Sequence, residues 1–406
     1  MDMVCWQKII TDEGIHTVFL VHEFHIPHIP HFVTTKKMNA EISYPWAVFV
    51  SNGEVFICDS GNNCVRKVLA TGQIVTITGK GLGGYLAHDE NRLATDVQLY
   101  RPMSVVVSSS DQVYISDEDY LIRKIDRNGI MSTIAGAGRW YGNQCGGNGD
   151  GKLAIDARLY EPRGLFVTDD EEVFICDYGK GRVRRIDRNG MISTVAGTCI
   201  EGYNGDEKLA SDAQLNSPTS VFVHRNEIYI TDTHNRRILK VLQNGIIKTI
   251  AGTGENGYNG DDQPATSANL SQPQGLYVHN DHIYFSDCFN HRIRVILPNG
   301  IIKTVAGTVK TGYNGDEISA IEAKLEFPAG IFVDDSGIYI ACKDARIRKI
   351  DCNGIISTIV GTGKEGYSGD VPFDFHKYPH IGPKKKPLIK PFPKSFHDIV
   401  ITSTTC

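Results

Sequence analysis

The sequence lacks the motifs that most readily assign a function. None of its ten cysteines forms a Cys-x-x-Cys pair, which argues against zinc-finger, RING-type and thioredoxin-like sites. No GxSxG, HExxH or P-loop motif is present, so the usual signatures of serine hydrolases, zinc proteases and P-loop NTPases are missing. The 406 residues carry a net charge of −5 at pH 7, so no whole-chain basic field attracts nucleic acid or anionic lipid.

Long apolar segments are also missing. The most apolar stretch, residues 15–33, contains Glu23, several histidines and two prolines, and no stretch reaches the roughly 18 apolar residues of a membrane span. Asp2 and Lys8 precede any apolar run, so the N-terminus does not resemble a signal peptide. A disulfide framework is not expected, because a chain of this length can build a hydrophobic core. We therefore expect a cytoplasmic monomer without a membrane anchor.

What the sequence has instead is glycine and internal repetition. Glycine accounts for 41 of 406 residues without a collagen-like period, which indicates many tight turns between short strands. Each repeat opens with a proline and a short alternating apolar run; the six prolines are Pro45, Pro102, Pro162, Pro218, Pro273 and Pro328. Three further runs rich in β-branched and aromatic residues follow each of them. This pattern predicts an all-β protein, a β-propeller of four-stranded antiparallel blades.

The two chain ends leave the number of blades open. Residues 6–18 align with a third and a fourth strand, and residues 397–403 resemble a second strand. The ring would contain either six complete blades or, in addition, a composite seventh blade made from both ends, which would remove exposed sheet edges. We treat residues 1–406 as a single propeller with regular repeats in 42–370. A His/Pro-rich segment at 19–37 and a Pro/Lys-rich tail at 371–395 interrupt the pattern.

A glycine-rich connection separates consecutive repeats. It reads GYNGDEKLASDAQLNSP in one copy, and its aspartate precedes the next proline by twelve residues at Asp150, Asp206, Asp261 and Asp316. These features resemble the NHL repeat family, in the subtype with long GYSGDG-type loops found in bacterial NHL proteins and teneurin-like propellers. The resemblance covers residues 42–370. It implies a propeller fold, whereas the family's members serve variously in ligand or protein binding, RNA recognition or lyase-like catalysis.

The positions beside each repeat proline differ from blade to blade. They begin the innermost strands, so we expect them to ring one mouth of the central channel, where ligand specificity in propellers is usually found. The predicted binding residues are Tyr44, Trp46, Arg101, Met103, Glu161, Arg163, Thr219, Gln272 and Gln274. Two residues after each proline the chain always has Ala, Ser or Gly, which indicates close packing near the axis.

Two recurring patterns have structural explanations. An aspartate that ends the second strand is followed by an arginine five residues later, and we interpret the pairs as ion pairs that pin each hairpin: Asp177 with Arg182, Asp232 with Arg237, and Asp287 with Arg292. The alternative is a ring of charges that binds an anion. Histidines recur every third residue at His22, His25, His28 and His31, but no acidic or cysteine partner accompanies them. We expect no metal, no cofactor and no catalytic residue.

The sequence thus favours a non-enzymatic scaffold that binds a protein or a small ligand through one mouth of the channel. The alternative is a metal-dependent hydrolase or lyase, for which the candidate residues are Glu161, His224 and His279. A third hypothesis is an RNA-binding module. Basic residues of the third strands would form its positively charged rim: Arg123, Lys124, Arg184, Arg185, Arg348 and Lys349.

Overall fold

The computed structural model describes residues 7–11, 14–18, 39–81, 91–138 and 149–371. The chain divides into two compact units, one within residues 1–33 and one within residues 34–406. The first unit contains an antiparallel hairpin of Gln7–Thr11 and Gly14–Val18. The second contains six antiparallel sheets, each built from one sequence repeat. In the described residues no helix is long and apolar enough to cross a membrane.

Each sheet is one blade, and its strands follow the repeat in chain order from the inside outwards. Blade 1 comprises Pro45–Ser51, Glu54–Asp59, Cys64–Val68 and Ile74–Thr78. Blade 2 comprises Pro102–Val107, Val113–Asp117, Leu121–Ile125 and Ile130–Ala135. Blade 3 comprises Pro162–Val167, Val173–Asp177, Arg182–Ile186 and Met191–Ala196. Blade 4 comprises Pro218–His224, Glu227–Asp232, Arg237–Val241 and Ile246–Ala251. Blade 5 comprises Pro273–His279, His282–Asp287, Arg292–Ile296 and Ile301–Ala306. Blade 6 comprises Pro328–Asp334, Gly337–Cys342, Arg346–Ile350 and Ile355–Val360.

Short elements complete the blades. A two-residue strand from the incoming connection adds to the outer edge of blades 2 to 6; these strands are Arg92–Leu93, Lys152–Leu153, Lys208–Leu209, Gln263–Pro264 and Ile318–Ser319. Single 3₁₀ turns follow these strands or the second strands, at Ser60–Asn62, Ala94–Asp96, Ala154–Asp156, Tyr178–Lys180, Ala210–Asp212, Ala265–Ser267, Cys288–Asn290 and Ala320–Glu322. The edge strands cover outer backbone groups that would otherwise stay unpaired.

The core lies between neighbouring blades, because one blade cannot bury both of its faces alone. Between blades 5 and 6, for example, Ile293, Ala306 and Ile340 are fully buried against each other's sheets. A similar apolar layer fills every junction, including the one between blade 6 and blade 1. The small residues after each proline lie where the first strands approach one another, as predicted.

Six blades complete the ring. The rings of Phe332 in blade 6 and Phe49 in blade 1 are in contact, with centroids 4.9 Å apart. A Cβ atom added to Gly330 would lie only 2.7 Å from the Cα of Ala47, so the two first strands are direct neighbours. The alternative with a composite seventh blade therefore does not describe the ring. The second strand predicted at 397–403 lies outside the described residues.

The connection that follows blade 6 closes the ring on blade 1. Arg66, on the third strand of blade 1, donates from Nη2 to Asp370 Oδ1 at 2.7 Å and to the Ser368 carbonyl at 2.6 Å. Asp370 also forms a parallel bridge with Ile74 in the outermost strand of blade 1. We call residues 365–371 the closing segment. Its motif, GYSGD, repeats the GYNGD of the internal connections, so the ring is closed by the same contact that joins its other blades.

The aspartate at the end of the second strand makes its ion contact with a different arginine from the predicted one. Asp287 faces Arg292 in the backbone register, yet its ion contact is to Arg294, 3.4 Å away and fully buried. Arg294 also contacts Asp261 of the preceding connection at 2.8 Å. Arg292 instead stacks on Tyr258, with its guanidinium 3.8 Å from the ring centroid. The predicted partner was the facing Arg292, but the contact is made by Arg294, two residues later on the same side of the strand.

The same arrangement holds in blade 3 and changes in blade 4. In blade 3, Asp177 lies 3.7 Å from Arg184, while Arg182 faces it in the backbone register. Blade 4 has the buried Leu239 where the others have arginine. Burial raises the pKa of Asp232 to about 7, against about 6 for Asp287, which has the nearby Arg294.

Candidate functional site

The six first strands enclose a central channel of about 300 Å³. Its wall is mainly apolar and includes Val48, Val105, Leu165, Val221, Leu276 and Ile331. The volume is at the lower end of the range for small-molecule pockets, which is about 300–1,000 Å³. The channel is therefore large enough for a small ligand and too small for a folded peptide element.

One end of the channel is narrowed by aromatic side chains. Five of the six blades have an aromatic residue four positions after the proline; these are Phe49, Phe166, Phe222, Tyr277 and Phe332. Neighbouring rings pack at tilted angles with centroids 4.6–4.9 Å apart. Blade 2 has Val106 at this position. The other end, where the first strands begin, is the mouth predicted from the sequence, and we call it the Trp46 mouth.

The predicted residues that follow the prolines meet at the Trp46 mouth. Trp46, Met103, Thr219 and Gln274 all line the channel. Met103, Thr219 and Gln274 are almost completely buried, with exposed fractions of 2%, 6% and 6%. Arg163 lies beside them, with its guanidinium carbon 5.1 Å from the Trp46 ring centroid. The structure therefore brings together five side chains from blades 1 to 5.

The predicted residues that precede the prolines form an outer ring around this mouth. Together with their equivalents in the other two blades, Ser217 and Phe327, they have a left-handed backbone with φ between 42° and 56°; the predicted members are Tyr44, Arg101, Glu161 and Gln272. Such a backbone is uncommon for residues other than glycine and must be held by its surroundings. In blade 3 the backbone N–H of Tyr160 donates to Asp177 Oδ1 at 2.7 Å, and Asn216 and Asp232 repeat this contact in blade 4. The second-strand aspartates thus fix the entry of each strand into the mouth.

Members of the outer ring have different neighbours. Tyr44 stacks beside Trp46, with centroids 6.5 Å apart. Arg101 makes an ion pair with Glu118 at 3.3 Å. Glu161 and Gln272 are half-buried and lie outside the channel wall. The outer ring therefore shapes the rim, whereas the channel itself is lined by the residues after the prolines.

The Trp46 mouth also contains residues that the sequence argument missed. Lys343, from blade 6, places its Nζ 4.4 Å from the Trp46 ring centroid and 5.3 Å from that of Tyr44. Tyr178, from blade 3, lies under Arg163, with its ring centroid 3.5 Å from the guanidinium carbon. Both residues directly follow a second strand, a position that also varies between repeats: Ser60, Glu118, Tyr178, Thr233, Cys288 and Lys343. The variation at this position could have identified Lys343 and Tyr178 from the sequence.

Arg163 and Lys343 bring two positive charges to this mouth, and Glu161 and Glu118 are the carboxylates whose charge acts on Arg163. Among the described residues, the side chains of Arg163 and Lys343 have no hydrogen bond and no ion pair, and the buried Nε of Arg163 has no acceptor. Burial lowers the pKa of Lys343, and the charges of Arg163 and Arg101 lower it further. Burial, followed by the charge of Arg163, also lowers the pKa of His234. A negatively charged group at this mouth would therefore stabilise the charged forms of Arg163 and Lys343.

A buried acceptor lies at the same level. The side-chain oxygen Oε1 of Gln274 has no hydrogen-bond donor among the described residues. The neighbouring hydroxyl of Thr219 is already bonded to the hydroxyl of Thr233 at 2.6 Å. An unpaired buried acceptor is costly, so Gln274 is well suited to accept a hydrogen bond from a ligand.

The residues named for the alternative functions lie apart. His224 and His279 are at the far ends of their first strands, where each contacts an aspartate of the next blade at 3.0 Å, whereas Glu161 lies at the Trp46 mouth. In the described residues no group of three or more His, Cys, Asp and Glu could hold a metal ion. The four regularly spaced histidines lie outside these residues. Of the basic third-strand residues, Arg123, Arg184 and Arg348 are buried inside the blades and do not form a positive rim.

One cysteine is disulfide-bonded. Cys199, in the connection after blade 3, forms a disulfide, whereas the other cysteines of the described residues are free thiols. Of these, burial raises the pKa of Cys288 to about 12. A free thiol with a raised pKa is a poor nucleophile, so Cys288 gives the Trp46 mouth no covalent chemistry.

Comparisons with known proteins agree with the fold. The family model described as "Teneurin NHL domain" matches residues 140–204 and 309–373, and the "NHL repeat" model matches residues 43–68. The chain is 28% identical over 288 residues to Teneurin-4 of Mus musculus, covering 61% of the chain and 10% of the relative. It is 26% identical over 327 residues to Protein SUPPRESSOR OF QUENCHING 1, chloroplastic, of Arabidopsis thaliana, covering 76% of the chain and 30% of the relative.

A solved structure extends the likeness of the fold. An auxiliary nutrient binding protein from Bacteroides thetaiotaomicron superposes with a TM-score of 0.53 at 14% identity. The match covers 79% of this chain and 70% of that protein. The chain thus spans a tenth to about a third of the length of the two curated relatives.

Proposed function

This chain belongs to the NHL-repeat β-propeller family, and we propose that it is a non-enzymatic binding module that takes its protein or ligand at the Trp46 mouth. The fold supports a binding or scaffold role in general. The observation that carries the proposal is the pair of cations, Arg163 and Lys343, on one tryptophan ring, neither of which makes an ion pair with a described residue. Aromatic and arginine side chains are also those most enriched at binding hot spots.

Blade packing does not require these side chains. Other blades have Thr219 or Ala329 at the position of Trp46, so a large aromatic residue is not needed to complete a blade. Likewise, blade 1 has Ser60 at the position of Lys343. Burial lowers the pKa of both Arg163 and Lys343, so keeping the two groups charged costs folding stability, which favours a role in recognition over a role in folding.

The proposal predicts that Trp46→Ala combined with Arg163→Ala abolishes binding while the fold persists. A panel of small carboxylates and acidic peptides is screened by thermal shift, and every compound that stabilises the wild type should fail to stabilise the double variant. Since both side chains are only half-buried, the variant's own melting temperature should fall by only a few degrees. Circular dichroism checks that the sheets remain.

A matched control removes a cation at the opposite end of a blade. Arg225 lies in the hairpin after the first strand of blade 4, and its side chain is 68% exposed. Arg225→Ala should keep all the stabilisation seen with the wild type. If compounds bind the double variant as well as they bind the wild type, the working surface lies elsewhere and the proposal is wrong.

A further inference from the structure

The charged mouth and the apolar channel are continuous, and this continuity defines a class of ligand. We propose that the channel binds a small carboxylate with a hydrogen-bond donor on the adjacent carbon and an apolar tail, a chemistry shared by 2-hydroxy acids and N-acyl amino acids. The inference rests on the proposed function and specifies what the Trp46 mouth takes. Three features carry it: the unpaired cations, the unpaired acceptor, and the apolar, narrowed channel.

The carboxylate is expected between Arg163 and Lys343. Both cations lie within about 5 Å of the same Trp46 ring centroid, and the charge of Arg163 lowers the pKa of Lys343, so the two positive charges act on the same region of the mouth. Glu161 and Glu118 act on Arg163 only through their charge, and Glu118 is already paired with Arg101 at 3.3 Å. A charge-assisted contact in a partly buried site is stronger than a surface one. The guanidinium can hold a carboxylate with two parallel N–H groups.

The donor is expected at Gln274. Its Oε1 atom is buried and has no hydrogen-bond donor in the described part of the chain, and Gln274 lines the channel at the same strand position as Trp46. A group that reaches this atom while the carboxylate stays between the cations must be close to the carboxylate. A hydroxyl or amide N–H on the adjacent carbon meets that requirement.

The tail is expected inside the channel. Beyond the level of Trp46 the wall consists of Val48, Val105, Leu165 and other apolar side chains. Three strand residues, about 10 Å, separate this level from the aromatic residues that narrow the other end. A volume of about 300 Å³ therefore accepts an aryl or short alkyl group and rejects a polypeptide. Burial of such a tail supplies the apolar part of the affinity.

The test uses a matched set of compounds with the full chain. 3-Phenyllactate and N-acetylphenylalanine have the carboxylate, the donor and the tail; 3-phenylpropanoate lacks the donor; 3-phenylpropane-1,2-diol lacks the carboxylate. Calorimetric titration should show binding of 3-phenyllactate, N-acetylphenylalanine or both. The compound that binds more tightly shows whether the hydrogen-bond donor is a hydroxyl or an amide N–H. Removing the donor or the charge should each weaken binding about tenfold or more.

Single substitutions assign each feature to a residue. Arg163→Gln and Lys343→Gln should each weaken binding of the carboxylates about tenfold or more, whereas Arg225→Ala should leave it unchanged. Gln274→Leu should abolish the preference for 3-phenyllactate over 3-phenylpropanoate while both still bind. The preference is the ratio of the affinities for 3-phenyllactate and 3-phenylpropanoate. A general loss of affinity in this variant would lower both affinities and leave the ratio unchanged.

The following results overturn the inference. If the diol binds as tightly as 3-phenyllactate, or if the carboxylates bind Arg163→Gln and Lys343→Gln as well as the wild type, this ligand class is wrong. If no carboxylate of the set binds at millimolar concentration but an acidic peptide does so through Arg163, the ligand class is wrong while the proposed mouth stands. Binding of both kinds of compound that survives the Trp46→Ala and Arg163→Ala double change overturns the mouth as well.

Discussion

A chain that ends after Lys364 should melt roughly 5 °C below a chain that ends after Val371. The seven residues between these ends form the closing segment. Without them Arg66, whose side chain is fully buried, loses its contacts with Asp370 and Ser368, and Asn62 loses its hydrogen bond to the Gly366 carbonyl at 2.7 Å. Arg66 keeps Asp59, 3.5 Å away, and the Glu41 carbonyl, so the loss is at the lower end of the about 3–5 kcal/mol that breaking a buried ion pair costs. Differential scanning calorimetry of the two chains measures the difference.

A point substitution separates the ion pair from the loss of chain. Asp370→Asn should destabilise the full chain more than Asp261→Asn does, although both aspartates make the same contact with a third-strand arginine. The connection that contains Asp261 leads directly into blade 5, so the chain itself holds blades 4 and 5 together. Asp370 instead joins blade 6 to blade 1, which lie at opposite ends of the repeat array. Equal melting temperatures for the two truncated chains would mean that the closing segment does not hold the ring.

Gly330→Ala should destabilise the fold by about 1–3 kcal/mol or more, because the new methyl group has no space. Its Cβ would lie 2.7 Å from the Trp46 carbonyl oxygen and 2.7 Å from the Cα of Ala47. Both are backbone atoms of the first strand of blade 1, so the blades would have to separate. Chemical denaturation with fluorescence detection measures the free energy of unfolding.

The neighbouring residue supplies the control for this substitution. Ala47→Gly removes the corresponding Cβ from blade 1 and should cost no more than about 1 kcal/mol. Combining it with Gly330→Ala should not restore stability, since the collision is with backbone atoms that Ala47→Gly leaves in place. Full recovery in the double variant would show that the first strands of blades 6 and 1 are less tightly packed than their geometry indicates.

The repeat architecture was predictable because it depends on local patterns that recur. The proline that opens each first strand, and the small residue two positions later, fixed the order of strands and the packing near the axis. The number of blades was not predictable in the same way, because residues 6–18 and 397–403 carry strand patterns and such patterns do not reveal where a strand lies. The GYSGD motif before Asp370 was the better signal, since it repeats the connection that docks on the next blade.

The candidate site was only partly predictable for a related reason. Variation beside the prolines pointed to Trp46, Arg163 and Gln274, which the structure gathers at one mouth. Lys343 was missed because it follows a second strand, and the meeting of first-strand starts with second-strand ends is a property of the assembled ring. The ion partner of Asp287 was missed for similar reasons: facing register favours Arg292, whereas side-chain length and the incoming connection place Arg294 there.

The most direct test of the central claim is to locate a bound carboxylate by the methyl resonances of two methionines in blade 2. The Met103 side chain lines the channel, whereas Met131 lies in the packed layer between blades. Both are almost completely buried, with exposed fractions of 2% and 0%. With 3-phenyllactate or N-acetylphenylalanine present, whichever binds more tightly, the Met103 methyl signal should shift in proportion to occupancy and the Met131 signal should stay in place. A saturating ligand that leaves Met103 unmoved would contradict binding at the Trp46 mouth.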